Sequence, residues 1–114
     1  MKAVLITGGR DYLNYKVVSS VLDQLHPSFI ITGGATGADA MAERWAAFHG
    51  VHAFVCAALW DAYGRRAGYI RNSALIAVAK RLSATVVAFP GGRGTADCVR
   101  RAKAIPLLVR VVKD

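Results

Sequence analysis

The chain has 114 residues, 54% of them hydrophobic, and carries 15 Lys and Arg against 7 Asp and Glu, for a formal charge of +8. That length and apolar content suit one compact domain over residues 1–114 with a real core and no room for a second, and no apolar run nears the roughly 18 residues of a membrane span. The first residues enter a strand pattern with no cationic segment, apolar stretch and cleavage site before it, so no leader is expected and the location expected is cytoplasmic. The positive balance favours anionic partners, nucleotides or nucleic acid, although basic residues scattered over solvated helix faces give the same total.

Lys2 to Thr7 reads as a first strand that leaves through Gly8, Gly9 and Arg10. Val17, Val18, Val21, Leu22 and Leu25 then recur at helical spacing until His26-Pro27 stops the helix. Phe29 to Thr32 is a short second strand that exits through GGATGAD, and its helix presents Met41, Trp45 and Phe48 before closing at Gly50. Val51 to Cys56 is the third strand. A connection from Ala57 to Tyr69 follows, holding Trp60, Asp61, Tyr63, Arg65 and Arg66, and loops of that length in a small domain tend to be functional. A helix is predicted over Arg71 to Arg81, a strand over Thr85 to Phe89, a helix opening at Thr95, and a fifth strand over Ile105 to Val112.

Buried strands alternating with amphipathic helices predict an α/β, Rossmann-like, doubly wound and mostly parallel five-stranded sheet with helices on both faces. Gly8, Gly9, Gly33, Gly34, Gly37, Gly91, Gly92 and Gly94 all fall at strand exits, the edge along which such sheets bind ligands. The stretch Pro90 to Thr95 is the densest: Gly91, Gly92 and Gly94 strip the turn of side chains, Arg93 adds a charge, and a helix N-terminus follows, which together suit a phosphate. Cys56 and Cys98 read as small buried residues of a chain in a reducing compartment. His26, His49 and His52 are dispersed at element ends, and neither a metal site nor a cofactor is expected.

GxGxxG and GxxxxGK[ST] are both absent, so neither a dinucleotide oxidoreductase nor a P-loop ATPase is supported. The ordered set TGGRDY, GGATGAD, a Trp followed by YG, AG and RN, and FPGGRGTAD instead resembles the YspA and YpsA-related branch of the SLOG superfamily, which also contains the "lonely guy" phosphoribohydrolases and the DNA-processing A proteins. The resemblance runs from Val4 to about Ile105 and implies a domain that binds nucleotides, nucleotide-derived signals or nucleic acid. It also implies that Pro90 to Thr95 cradle a sugar phosphate and that Arg71 matches the arginine preceding that loop. The phosphoribohydrolases carry PGGxGTxxE, and Cys98 stands where their glutamate would be. A neutral thiol does not replace a carboxylate that handles protons.

The expected ligand contacts are therefore Gly8, Gly9 and Arg10 with Asp11 and Tyr12 beside them; Gly33, Gly34, Thr36, Gly37 and Asp39; Trp60, Arg71 and Asn72; and Pro90, Gly91, Gly92, Arg93, Gly94 and Thr95. Each has a plainer reading: a tight turn for the glycines, an N-cap for Thr95, dipole compensation for Asp39, a core lid for Trp60, and core or subunit interface for Trp45. Arg71 and Asn72 are expected to start a helix beside the crevice, where a cation opposes the dipole unless an anion is near. The function expected is capture of a nucleotide or nucleotide-derived phosphorylated ligand. One alternative is hydrolysis of an N-glycosidic bond with Asp97 or Asp39 as the carboxylate and Arg71 steadying the transferred group, and a second is nucleic-acid binding through Arg100, Arg101 and Lys103. A homo-oligomer, dimer or tetramer, is expected as well.

Overall fold

The computed structural model describes residues 2–114. Five strands, β1 (Ala3–Thr7), β2 (Phe29–Thr32), β3 (His52–Val55), β4 (Thr85–Ala88) and β5 (Val109–Val111), form one sheet in the order β3-β2-β1-β4-β5, and every neighbouring pair is parallel. Helices α1 (Tyr15–Leu25) and α2 (Ala38–His49) cover one face, while α4 (Ala67–Leu82) and α5 (Arg93–Ala104) cover the other. The order runs outward from β1 in one direction through β3 and from β4 in the other, so the chain reverses its winding between β1 and β4. A crevice opens there beyond the strand ends.

The three inner strands are apolar runs because both of their faces are covered. Val4, Ile6, Ile30 and Val87 pack with Val18, Leu22 and Trp45 on the α1–α2 side; Leu5, Ile31 and Val86 pack with Leu75, Ile76, Cys98 and Ala102 on the other. Each fully buried Val, Leu or Ile contributes about 1.5–3 kcal/mol relative to exposure. Trp45 belongs to this core, and its indole Nε1 donates to Asp23 Oδ1 at 2.9 Å.

Helix boundaries follow local chemistry. Asn14 caps α1 by accepting from Val17 N, and His26, in the left-handed region at φ 48, ends it ahead of Pro27. Gly50 closes α2 with φ 65. Three expectations shift. The stretch 57–69 is not an open loop: it folds into a one-turn helix α3 (Trp60–Tyr63) and a 3-10 turn (Gly64–Arg66) that run directly into α4, which therefore begins at Ala67 rather than Arg71. Helix α5 begins at Arg93 with Gly92 as its cap, so Thr95 is a first-turn residue and not the N-cap. Strand β5 is shorter than the predicted Ile105 to Val112, because Ile105 caps α5 and the chain turns before Val109.

The strand exits are laced together at Gly9. Its N–H donates to the Pro90 carbonyl at 2.9 Å, and its own carbonyl accepts from Tyr12 N and Ala38 N, both at 3.2 Å. Gly37 lies at φ 71 with its Cα against this peptide, where a Cβ would collide with the carbonyl oxygens of Gly9 and Arg10. Gly37→Ala is accordingly expected to cost more than about 3 kcal/mol, from backbone strain plus overpacking. Gly50→Ala, at φ 65 but with nothing within 4 Å of the new methyl, should cost about 1–2 kcal/mol. Urea unfolding of both variants checks the pair; equal losses would contradict the close approach at Gly37.

Candidate functional site

A cleft of about 320 Å³ occupies the crevice at the β1/β4 reversal, a volume at the small end of ligand pockets. Its floor is the end of β1, Ile6 and Thr7, with Gly8 and Gly9. One wall is the β2 exit with Gly33, Ala35 and Asp39; the opposite wall is the α5 N-terminus from Gly92 to Thr95; Trp60, Arg65, Tyr69, Arg71 and Asn72 close the side. Three separate strand exits thus meet at one site, as their glycine content predicts.

The α5 wall is built to receive an anion. The amides of Arg93, Gly94 and Thr95 are the first three of the helix and precede the first intrahelical bond, Ala96 N to Gly92 O at 3.0 Å. No side chain caps them, and the first turn holds no acid. These open N–H groups and the positive helix end face the cleft. Gly92 and Gly94 have open space where a Cβ would stand, whereas Gly91 is packed against Thr95 and the Gly9 amide. Gly91 and Pro90 therefore shape the turn and do not line the cleft, while Gly92, Arg93, Gly94 and Thr95 do.

The β2 exit behaves differently from expectation. Its amides are already engaged: Asp39 Oδ2 accepts from Gly33 N at 3.1 Å and Ala35 N at 3.2 Å, and Gly34 N lies 3.4 Å from Thr32 Oγ1. Thr32 Oγ1 itself donates to Glu43 Oε2 at 2.7 Å, tying the end of β2 to α2. The protein's own carboxylate thus takes amides at an exit expected to contact the ligand. Thr36 spends its hydroxyl on the Arg10 carbonyl, and Gly37 packs on the Gly9 peptide, so both act on the loops and not on the cleft lining. Asp39 Oδ1 is buried and has no hydrogen-bond partner. Burial pushes the Asp39 carboxyl up to about 6; the two amides and the Arg71 charge pull against that, and Glu43 adds to it.

Arg71 and Asn72 span the cleft as a strut. Arg71 Nη1 donates to the Gly33 carbonyl at 2.7 Å and its Nε to Asn72 Oδ1 at 3.0 Å; Asn72 Nδ2 donates to the Gly94 carbonyl at 3.0 Å and to Asp97 Oδ2 at 3.2 Å. Both residues sit one turn inside α4, so the helix dipole imposes no conflict on Arg71. Asp97 lies beyond the strut, buried, held by Arg100 and by Arg101 Nε at 2.9 Å, and it does not line the cleft. Cys98 is fully buried in the core, and burial pushes its thiol up to about 11, which keeps it protonated and inert.

Arg10 stacks over the Trp60 ring at 4.8 Å, and the outer edge of that ring lies near Gly68. Tyr12 is a core residue stacked on Phe89 at 5.8 Å, and Asp11 is exposed outside the lining. Arg65, Gly68, Tyr69 and Leu75 are lining residues that the sequence reading did not single out as contacts. Their spacing, with Asn72 between them, is that of one helical face, a signal that appears once α4 is extended back to Ala67. Among the described residues no group of three potential ligands could hold a metal, and no helix is long and apolar enough to cross a membrane.

A carboxyl that holds its proton to about pH 6 in the folded chain, against an ordinary value near 4 when unfolded, binds more protons folded than unfolded between those limits. Folding stability is therefore undiminished by Asp39 below about pH 4 and loses up to about 3 kcal/mol as pH rises to about 6. Urea unfolding of the wild type and of Asp39→Asn from pH 4 to 7 checks this. The difference should drift in the variant's favour across that window, and a constant difference would contradict it.

Comparison with known proteins agrees with this architecture. The family described as the YspA, cpYpsA-related SLOG family matches residues 2–63, which include the first two glycine-rich exits and Trp60. The "Gene 61 protein" of Mycobacterium phage D29 is 37% identical over 123 residues, an alignment that covers 95% of each chain. On both counts the chain belongs to the YspA, cpYpsA-related SLOG family.

Proposed function

We propose that the protein binds a nucleotide or nucleotide-derived phosphorylated ligand in the β1/β4 cleft, as a sensor or a sequestering protein. The observation that carries this reading is the uncapped α5 N-terminus, three amides and no acid, set across the same cleft from a buried carboxylate oxygen without a partner. The phosphate rests on the amides of Arg93, Gly94 and Thr95, with the Arg93 and Arg10 side chains supplying full charges. A ribose hydroxyl donates to Asp39 Oδ1, which relieves a buried acceptor that would otherwise go unpaired. Trp60 and Tyr69, each about 45% exposed, offer aromatic faces to a base. Membership of a SLOG family supports a nucleotide-related ligand.

Turnover is a second reading that one observation favours: Asp39 lines the cleft with a raised carboxyl pKa and a free oxygen, which suits proton handling. Asp97 drops out of it, because Asn72 and two arginines hold both of its oxygens. Release of free base from nucleoside 5′-monophosphates, lost in Asp39→Asn, would establish hydrolysis; unchanged nucleotide after long incubation leaves binding alone.

The sharpest variant for the binding reading is Gly94→Asp. No atom lies within 4 Å of the position its Cβ would take, and an acid in the first turn favours the helix, so stability should hold or rise slightly. The new carboxylate repels a phosphate at the same amides. Calorimetric titration with a panel of nucleoside mono- and diphosphates should show affinity lowered by about a hundredfold or more in Gly94→Asp and about tenfold or more in Arg93→Ala. Unaltered affinity in a folded Gly94→Asp protein would overturn the assignment of the phosphate to α5.

A further inference from the structure

Outside the cleft, Tyr69, Arg93, Ala96, Asp97, Arg100 and Arg101 line an open groove between α4 and α5. Two of these residues, Tyr69 and Arg93, also line the cleft, so cleft and groove form one continuous path around the first turn of α5. We propose that this groove is a second phosphate subsite, and that the ligand of the cleft is a dinucleotide-class molecule whose linking phosphate sits on the α5 amides and whose terminal phosphate lies between Arg93 and Arg100. The proposal rests on the cleft reading above.

The charge in the groove favours an anion. Asp97 is its one carboxylate, and both oxygens are consumed, Oδ1 by Arg100 and Oδ2 by Arg101 and Asn72. Counting Arg93, Arg100 and Arg101 against Asp97, the groove keeps two positive charges. Arg93 makes no ion pair among the described residues, and the Arg100 side chain is 73% exposed even while it touches Asp97. Such a cation can turn to a ligand and leave Asp97 held by Arg101 and Asn72.

The spacing agrees. Arg93 and Arg100 are seven residues apart on one helix, two turns and about 10 Å along the axis, on the same face. Ala96 between them keeps the path open, and α4 places Tyr69 opposite, where its half-exposed ring can pack against a second base or sugar. A mononucleotide filling the 320 Å³ cleft would leave this groove unused. A longer strand would need a series of aromatic faces on which successive bases stack, and the groove lining, which ends at Arg101, holds Tyr69 alone.

The test compares each of the four nucleoside 5′-monophosphates with the matching 5′-phosphorylated dinucleotide and a 5′-phosphorylated ten-nucleotide strand, by calorimetry at fixed ionic strength. For the base that binds best, the dinucleotide should bind about tenfold tighter than the mononucleotide. Arg100→Ala should erase that advantage while leaving mononucleotide affinity unchanged, and Arg100→Lys should restore most of it. Mononucleotide binding with no gain for the dinucleotide, or a gain that survives Arg100→Ala, overturns the subsite and leaves the cleft reading intact. Binding of neither class removes both readings. A strand that binds more than about tenfold tighter than the dinucleotide, with affinity falling steeply with salt, overturns the two-phosphate ligand in favour of a nucleic-acid track.

Discussion

The peptide of Gly9 is the joint on which the site depends. Its N–H is taken by Pro90 and its carbonyl by Tyr12 and Ala38, so one residue fastens the β1 exit to both the β4 exit and the α2 N-terminus. Side chains are kept away for that reason: a Cβ on Gly8 would fall 2.5 Å from Ala38 Cβ, and one on Gly9 would fall 2.9 Å from the Pro90 carbonyl. The glycines at these strand ends serve two different purposes. Gly8, Gly9, Gly37 and Gly91 let backbones touch one another, whereas Gly92 and Gly94 face empty space from which an anion can reach the helix amides.

With the loops locked, the cleft is assembled by polar side chains that reach across it. The Arg71-Asn72 pair connects the Gly33 carbonyl to the Gly94 carbonyl and so sets the distance between the β2 and β4 walls. Asp39 fills the anion position on the β2 side with its own Oδ2 and leaves Oδ1 unpaired. The two walls are therefore chemically unlike, one offering donors and the other an acceptor. A phosphorylated sugar has the complementary polarity, acceptors at the phosphate and donors at the hydroxyls.

Much of this was legible in the residues. Val and Ile runs such as Ala3–Thr7 and Thr85–Ala88 mark strands covered on both faces, and glycine at three successive exits marks the edge where the crevice opens. What escaped was hidden by local propensity. Helix α4 starts at Ala67 with no capping side chain and with Gly68 in its first turn, and α5 starts in the glycine-rich Arg93–Thr95 turn. Glycine disfavours helix by about 1 kcal/mol, so each helix reads as starting later than it does, and Arg65, Tyr69 and Asn72 do not then fall on one face. Tertiary packing decides instead: α4 buries Ala67, Leu75, Ile76 and Ala79. The capture of the Gly33 and Ala35 amides by Asp39 was equally unreadable, because a turn must close before Asp39 meets them. Conversely, Asp97 had the sequence position of a catalytic acid beside the glycine loop, and burial against Asn72, Arg100 and Arg101 turned it into a structural anchor.

The central claim is that three unpaired backbone amides at the start of α5 are where the ligand's phosphate binds. Backbone ¹H–¹⁵N spectra recorded during titration with a binding nucleotide read those amides one by one. Downfield shifts concentrated at Arg93, Gly94 and Thr95, with smaller changes at Arg10 and Ala35 and none on the far ends of the strands, are the result predicted. Saturable binding that leaves the three amides unmoved while shifting residues elsewhere would contradict it.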